Sequence, residues 1–167
     1  MQKYLVETNR LGFRLLQKED IGYLFGLESD PEVQKFSPSG SKTYEQTEAV
    51  INEFISDYEA NGLPCFLLFD LVSDEFIGRA GFILWESGDT EVGYSLHKKF
   101  WGKGYATEVL ALLLEWAQKN IATDYISACS EADNLASLRV LEKCGMEYYK
   151  SDIEHGVECR FYRIKNR

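Results

Sequence analysis

The chain is predicted to be α+β: a single domain over residues 1–167 with one central mixed, mostly antiparallel sheet flanked by helices. Three observations carry this. The elements run strand, two helices, three strands, helix, strand, helix, hairpin, and short turns alone separate the three consecutive strands, which makes them an antiparallel meander. At 167 residues and 45% hydrophobic content the chain can bury one core and is too short for two comfortable domains. No internal repeat or low-complexity run interrupts it.

The elements follow in order. Residues Thr8 to Leu16 alternate Leu11, Phe13 and Leu15 against Arg10, Gly12 and Arg14, the period of a half-buried strand. A helix starts at Lys18-Glu19-Asp20 and runs to about Leu27; Pro31 then breaks or restarts it, and Phe36 to Ser41 is a loop by composition. From Tyr44 to Ala60 a stripe of Thr47, Val50, Ile51, Phe54, Ile55 and Tyr58 marks an amphipathic helix, closed by Asn61-Gly62. Pro64–Val72 and Glu75–Trp85 are strands joined at Ser73-Asp74, and a turn at Glu86–Asp89 leads into a third, Glu91 to Leu96. After a glycine-bearing turn comes a helix with Ala106, Val109, Leu110, Leu113, Trp116 and Ala117 on one face. Asp124–Ser130 is a short buried strand, Asn134–Cys144 a helix ended by Gly145, and Met146–Asp152 with Val157–Ile164 a hairpin about Glu154-His155-Gly156. Phe36, Tyr58, Phe82 and Trp85 are expected in the core, with an acceptor pocket wall as their other setting.

Composition bounds the function. A net charge of −9 disfavours nucleic acid as a partner and suits a cationic one, or simply solubility. No apolar run has the form of a signal peptide or the length of a membrane span, so the expectation is a cytoplasmic protein with no membrane partner. Cys65, Cys129, Cys144 and Cys159 form no CxxC pair and have no His at ligand spacing, so reduced thiols and no metal site are expected.

The chain is organised around FWGKGYATEVLALLLEWA, residues 100–117. The first turn of that helix presents unpaired N–H groups and the positive end of the macrodipole, and Gly102 and Gly104 let the backbone approach a bound group, which makes a seat for phosphate. Neither the P-loop spacing nor the three-glycine dinucleotide fingerprint fits Gly102, Lys103 and Gly104. The stretch does resemble the pyrophosphate loop of the GNAT superfamily of N-acetyltransferases, Gln/Arg-x-x-Gly-x-Gly/Ala, with Gly104 and Ala106 on its last two positions. Trp101 departs from the usual Gln or Arg, and is similar to the WGKGYA variant of the branch containing the ribosomal-protein N-terminal acetyltransferases. The element order is also that of the GNAT fold.

A second stretch, DNLASLRVLEKCGM from Asp133 to Met146, resembles that branch's other cofactor segment at Asn134, Ser137, Lys143 and Gly145, while Met146 replaces Phe. Read without a ligand, Asp133 or Asn134 caps the helix and Ser137 fills its first turn. The resemblance implies acetyl-CoA as cosubstrate, held by Leu96, His97, Trp101, Gly102, Lys103, Gly104, Tyr105, Ala106 and Thr107 together with Asn134 and Ser137, with backbone groups of Tyr94 to His97 pairing with the pantetheine amides. Lys99 is a further candidate phosphate partner. The Tyr general acid common in the family is replaced here by Leu141; a thiol of pKa near 8.5 leaves tolerably as an anion, and Ser137 is the candidate donor. Glu91 matches the acidic residue of the branch's E-[IVL]-G-Y strand and is the candidate base, because only a neutral amine attacks a thioester. The cysteines show no activating partner, so direct attack in a ternary complex is expected. The acceptor is a primary amine, of a small molecule or a protein N-terminus, and the protein a monomer or homodimer. The alternative is a coenzyme A-binding sensor or scaffold without turnover.

Overall fold

A computed structural model describes residues 2–167. Its eight strands form one sheet in the order β1-β2-β3-β4-β5-β6-β8-β7, comprising β1 (Val6–Glu7), β2 (Leu11–Leu15), β3 (Cys65–Asp70), β4 (Phe76–Leu84), β5 (Thr90–Leu96), β6 (Tyr125–Glu131), β7 (Glu147–Glu154) and β8 (Val157–Lys165). Every neighbouring pair is antiparallel except β5–β6. Helices α1 (Ile21–Glu28) and α2 (Tyr44–Asn61) lie on one face; α3 (Tyr105–Asn120) and α4 (Leu135–Lys143) lie on the other.

Strand β3 shows why the sequence divides this way. Its residues CFLLFD are buried from Cys65 to Phe69. Successive side chains point to opposite faces, so Cys65, Leu67 and Phe69 meet Leu24, Leu27 and Ile51 of α1 and α2, while Phe66 and Leu68 join Val109, Leu110 and Leu113 of α3. A strand covered on both sides reads as an unbroken apolar run. The caps are local: Thr43 and Gln46 form a reciprocal box at the start of α2, and Gly62 ends it in the left-handed region at φ 69°.

Several expectations are corrected. Residues 31–36 form turns rather than a restarted helix, and the first strand is preceded by the two-residue β1. The β3–β4 connection spans Leu71–Glu75, a wider loop than Ser73-Asp74, because Asp70 Oδ1 accepts from the N–H groups of Val72 and Ser73 and folds the chain there. Of the four aromatics expected inside, only Phe82 is fully buried; Tyr58 and Trp85 are exposed and Phe36 is half-buried. An amphipathic stripe fixes which way a side chain faces and leaves open how far the partner surface extends.

Candidate active site

The parallel pair β5–β6 is the structural key. It is registered only at Thr90↔Ile126 and Glu91↔Ser127. Beyond Glu91 the strands part, and a fork opens between Val92–Leu96 and Ala128–Glu131. The backbone groups facing into that fork follow from the other edge of β5. His97 N–H donates to Ile77 O at 2.9 Å, so by antiparallel alternation Ser95, Gly93 and Glu91 also bond toward β4, and Tyr94 and Leu96 turn their backbone polar groups into the gap. His97 is therefore not available to a pantetheine arm, contrary to expectation; its amide is spent on β4 and its ring packs edge-on against Phe76.

At the wide end of the fork sits the first turn of α3. Gly102 and Gly104 have φ of 72° and 81°, the region where a side chain is strained, and Gly104 is the helix N-cap. No side chain caps the helix, and the N–H groups from Gly102 to Thr107 have no acceptor among the described residues. Trp101 explains its own departure from the loop pattern: its indole Nε1 donates to Leu96 O at 2.9 Å and ties the turn to the end of β5. From the far side Arg10 clamps the same turn. Its Nη1 donates to Lys103 O at 3.0 Å, its guanidinium lies 4.0 Å from the Tyr105 ring centroid, and its Nη2 is 2.7 Å from Glu108 Oε2. Thr8 Oγ1 donates to the same carboxylate at 2.5 Å. The exposed amide row is thus held in shape by residues one hundred positions away in the chain.

Between this turn and α4 lies a cavity of about 550 Å³. Leu96, Trp101, Gly102, Gly104, Tyr105, Ala106, Thr107, Asn134 and Ser137 line it, as do Tyr94, Ser95, Arg139 and Lys143. Of the residues expected here, His97 and Lys103 are not part of the lining. Lys99 is turned away into a 2.7 Å pair with Glu75. The cations at the cavity are instead Arg139 and Lys143, spaced i,i+4 on one face of α4, so helical period alone would have placed Arg139 beside Lys143. Asn134 does cap α4, its Oδ1 accepting from Ser137 N at 3.3 Å, and its Nδ2 has no acceptor among the described residues. Leu141 is 3% exposed, buried with Leu138 in the core, and is not part of the cavity lining.

Glu91 stands on the other face of the sheet. It lies three positions before Tyr94, an odd offset, so the two side chains leave β5 in opposite directions, and Glu91 marks the vertex of the fork. Thr90 rather than Glu91 opens the strand. Burial pushes the Glu91 carboxyl up to about 7, against a hydrogen bond from Trp85 and assisted by the charge of Glu154. The bond, Trp85 Nε1 to Glu91 Oε2, is 2.8 Å long. In front of the neighbouring Gly93 there is open space. Cys129 lies close enough for Glu91 to act on its thiol, which burial and that charge push far above its ordinary value. Cys65 is likewise pushed up to about 12. Neither is primed as a nucleophile.

A cavity floored by free helix-start amides on one side, a half-buried carboxyl on the other and a parted sheet between them is the architecture of an acyl-CoA-dependent acetyltransferase. The chain belongs to the GNAT family: residues 10–147 match the Acetyltransferase (GNAT) domain. It is 31% identical over 143 residues to an uncharacterized N-acetyltransferase, p20, of Bacillus licheniformis, covering 84% of this chain and 80% of that one. A GNAT-family acetyltransferase structure from Bacillus anthracis superposes with a TM-score of 0.81 at 26% identity, over 96% and 98% of the two chains. RimL, described as a ribosomal L7/L12 alpha-N-protein acetyltransferase and solved with coenzyme A, shares the fold at a TM-score of 0.83 with 16% identity, over 98% of each chain. No group of His, Cys, Asp and Glu able to hold a metal ion occurs among the described residues, and no helix there is long and apolar enough to cross a membrane.

Proposed function

We propose that the protein transfers an acetyl group from acetyl-CoA to a primary amine by direct attack within a ternary complex. The observation that carries this is the fork: β5 and β6 part beyond Glu91, and the freed stretch of β5 from Tyr94 to Leu96 lines the amide-bearing cavity. The cavity residues would seat the cosubstrate, with the diphosphate on the amides of Gly102–Thr107, Arg139 and Lys143 near its phosphates, and the pantetheine arm paired with the backbone of Tyr94 and Leu96. The thioester then lies at the fork, and an amine approaching past Gly93 meets it beside Glu91.

The chemistry follows from proton affinities. An ammonium must lose its proton before its lone pair attacks the thioester carbonyl. A carboxylate of pKa about 7 accepts that proton from an α-ammonium, near 7.8, almost without penalty, whereas a lysine-type ammonium near 10.4 is about three decades more reluctant. This favours an α-amine, such as a protein or peptide N-terminus, over an isolated alkylamine. The Trp101 turn and the Glu91 strand support the same branch. The attacking nitrogen forms the C–N bond, the tetrahedral intermediate gives up its second N–H proton to solvent and collapses as the C–S bond breaks and the thiolate leaves, and Glu91 returns the first proton to solvent. Proximity of the two substrates supplies much of the rate.

Coenzyme A release from acetyl-CoA, followed with a thiol reagent across peptides with free N-termini, polyamines and small amines, tests the reading. Turnover fastest with free α-amines is expected. Tight acetyl-CoA binding with no turnover across the whole panel would make the protein a coenzyme A sensor instead.

A further inference from the structure

One polar atom among the described residues is buried with no hydrogen-bond partner: the hydroxyl of Tyr94. An unpaired buried hydroxyl costs stability, and its persistence asks for a reason. Its surroundings supply one. Tyr94 lies on the cavity side of β5, its ring packs on the main core, and the residue lines the cavity together with Ser137. Ser137 sits in the first turn of α4, facing β5 across the space where a pantetheine sulfur would arrive. Ser137 approaches the phenol at the margin of hydrogen-bonding reach, near enough to favour its ionised form, without closing a well-formed bond. Leu141, one turn further along α4, is buried in the core and offers no donor there.

We propose that Tyr94 and Ser137 form a two-hydroxyl chain that stabilises the departing thiolate, Tyr94 donating to Ser137 Oγ and Ser137 donating to the sulfur. This rests on the reading of the cavity as an acetyl-CoA site. Ser137 touches the reacting atom; Tyr94 is a positioning residue that acts through it. Without ligand, the serine hydroxyl is free to turn and the phenol waits unpaired. When the C–S bond breaks, its electron pair stays on sulfur, negative charge appears there, and both O–H dipoles align toward it. No proton needs to cross the chain. Burial pushes the Tyr94 phenol above its ordinary value, opposed by Ser137 and assisted by Cys144, so it holds its proton more tightly than a free thiol does and acts as a donor throughout. The thiolate takes its proton later from solvent.

The test is a titration of the thiol of coenzyme A bound to the protein, followed by thiolate absorbance in the ultraviolet, in the wild type, Tyr94→Phe, Ser137→Ala and the double variant. The wild type should hold the bound thiol below its free pKa of about 8.5, and Tyr94→Phe should raise it by roughly half to one pH unit, the worth of one ordinary hydrogen bond. Turnover should fall about three- to tenfold in kcat, with KM for acetyl-CoA little changed. The double variant should match Ser137→Ala alone, because the phenol has no route to the sulfur except through the serine. An unchanged thiol titration in Tyr94→Phe, or effects of the two substitutions that simply add, would overturn the chain. Failure of the wild type to bind coenzyme A at all would remove the acetyl-CoA reading itself, and this inference with it.

Discussion

Replacing Glu91 with Gln should make the protein more stable and less active, and the size of both effects follows from one carboxyl. The Glu91 pKa rises from an ordinary 4.5 to about 7 on folding. Each decade of proton affinity is worth 1.36 kcal/mol, so the ionised side chain costs the fold about 3 kcal/mol once both states are deprotonated. The sign is that of a raised pKa: the protonated form is favoured in the folded state, and that stability is present below about pH 4.5 and lost as pH climbs through about 7. Gln keeps the shape and can still accept from Trp85 Nε1, but it never ionises. Denaturant unfolding at about pH 4.5 and about pH 8 should therefore show little difference between the two proteins at the lower value and a gain of up to about 3 kcal/mol for Glu91→Gln at the higher. Turnover should move the other way. The wild type should gain rate with pH up to a plateau above about 7, and Glu91→Gln should lose this limb along with roughly a hundredfold or more of kcat. A stability difference independent of pH, together with an intact rate profile, would refute both the buried ionisation and the role of base.

Other outcomes follow from single features. Arg10→Ala removes the clamp behind the α3 turn; KM for acetyl-CoA should rise several-fold with kcat nearly unchanged, and the fold should lose about 1–2 kcal/mol of stability, readable in steady-state kinetics and melts. Glu28 is fully buried between Lys42 Nζ at 2.9 Å and Arg79 Nε at 2.6 Å. Burial pushes its carboxyl up, but Arg79 and Lys42 outweigh that and hold it low, so its stability is lost only as pH falls through that depressed value. Glu28→Ala strands two largely covered cations and should cost about 3–5 kcal/mol by denaturant unfolding. Cys129→Ser should keep turnover within about threefold of wild type, and no acetylated enzyme should appear by intact mass during the reaction, because the thiol beside Glu91 is held protonated.

Much of this was legible in the chain because it is local. The alternation of Leu11, Phe13 and Leu15, the Gly62 cap and the glycine-bearing turn before α3 each depend on residues within a few positions of one another. The same holds for the free amides at that turn: they follow from a helix start with no capping side chain, and they required no partner. Where the sequence misled, a distant neighbour had decided. Lys99 was spent on Glu75 and the His97 amide on Ile77, and Arg10 reached the α3 turn across nearly one hundred residues.

By itself, then, the sequence determined the order of the main strands and helices, which faces are apolar, and that a glycine-bearing turn precedes α3. Only the tertiary structure decided that β5 and β6 part after Glu91, that Glu91 and Tyr94 look out from opposite faces at that opening, and that burial lifts the one carboxyl while leaving the other hydroxyl unpaired. The reason is physical: hydrophobic period and capping act over a few residues, whereas desolvation and strand separation depend on everything packed around a group.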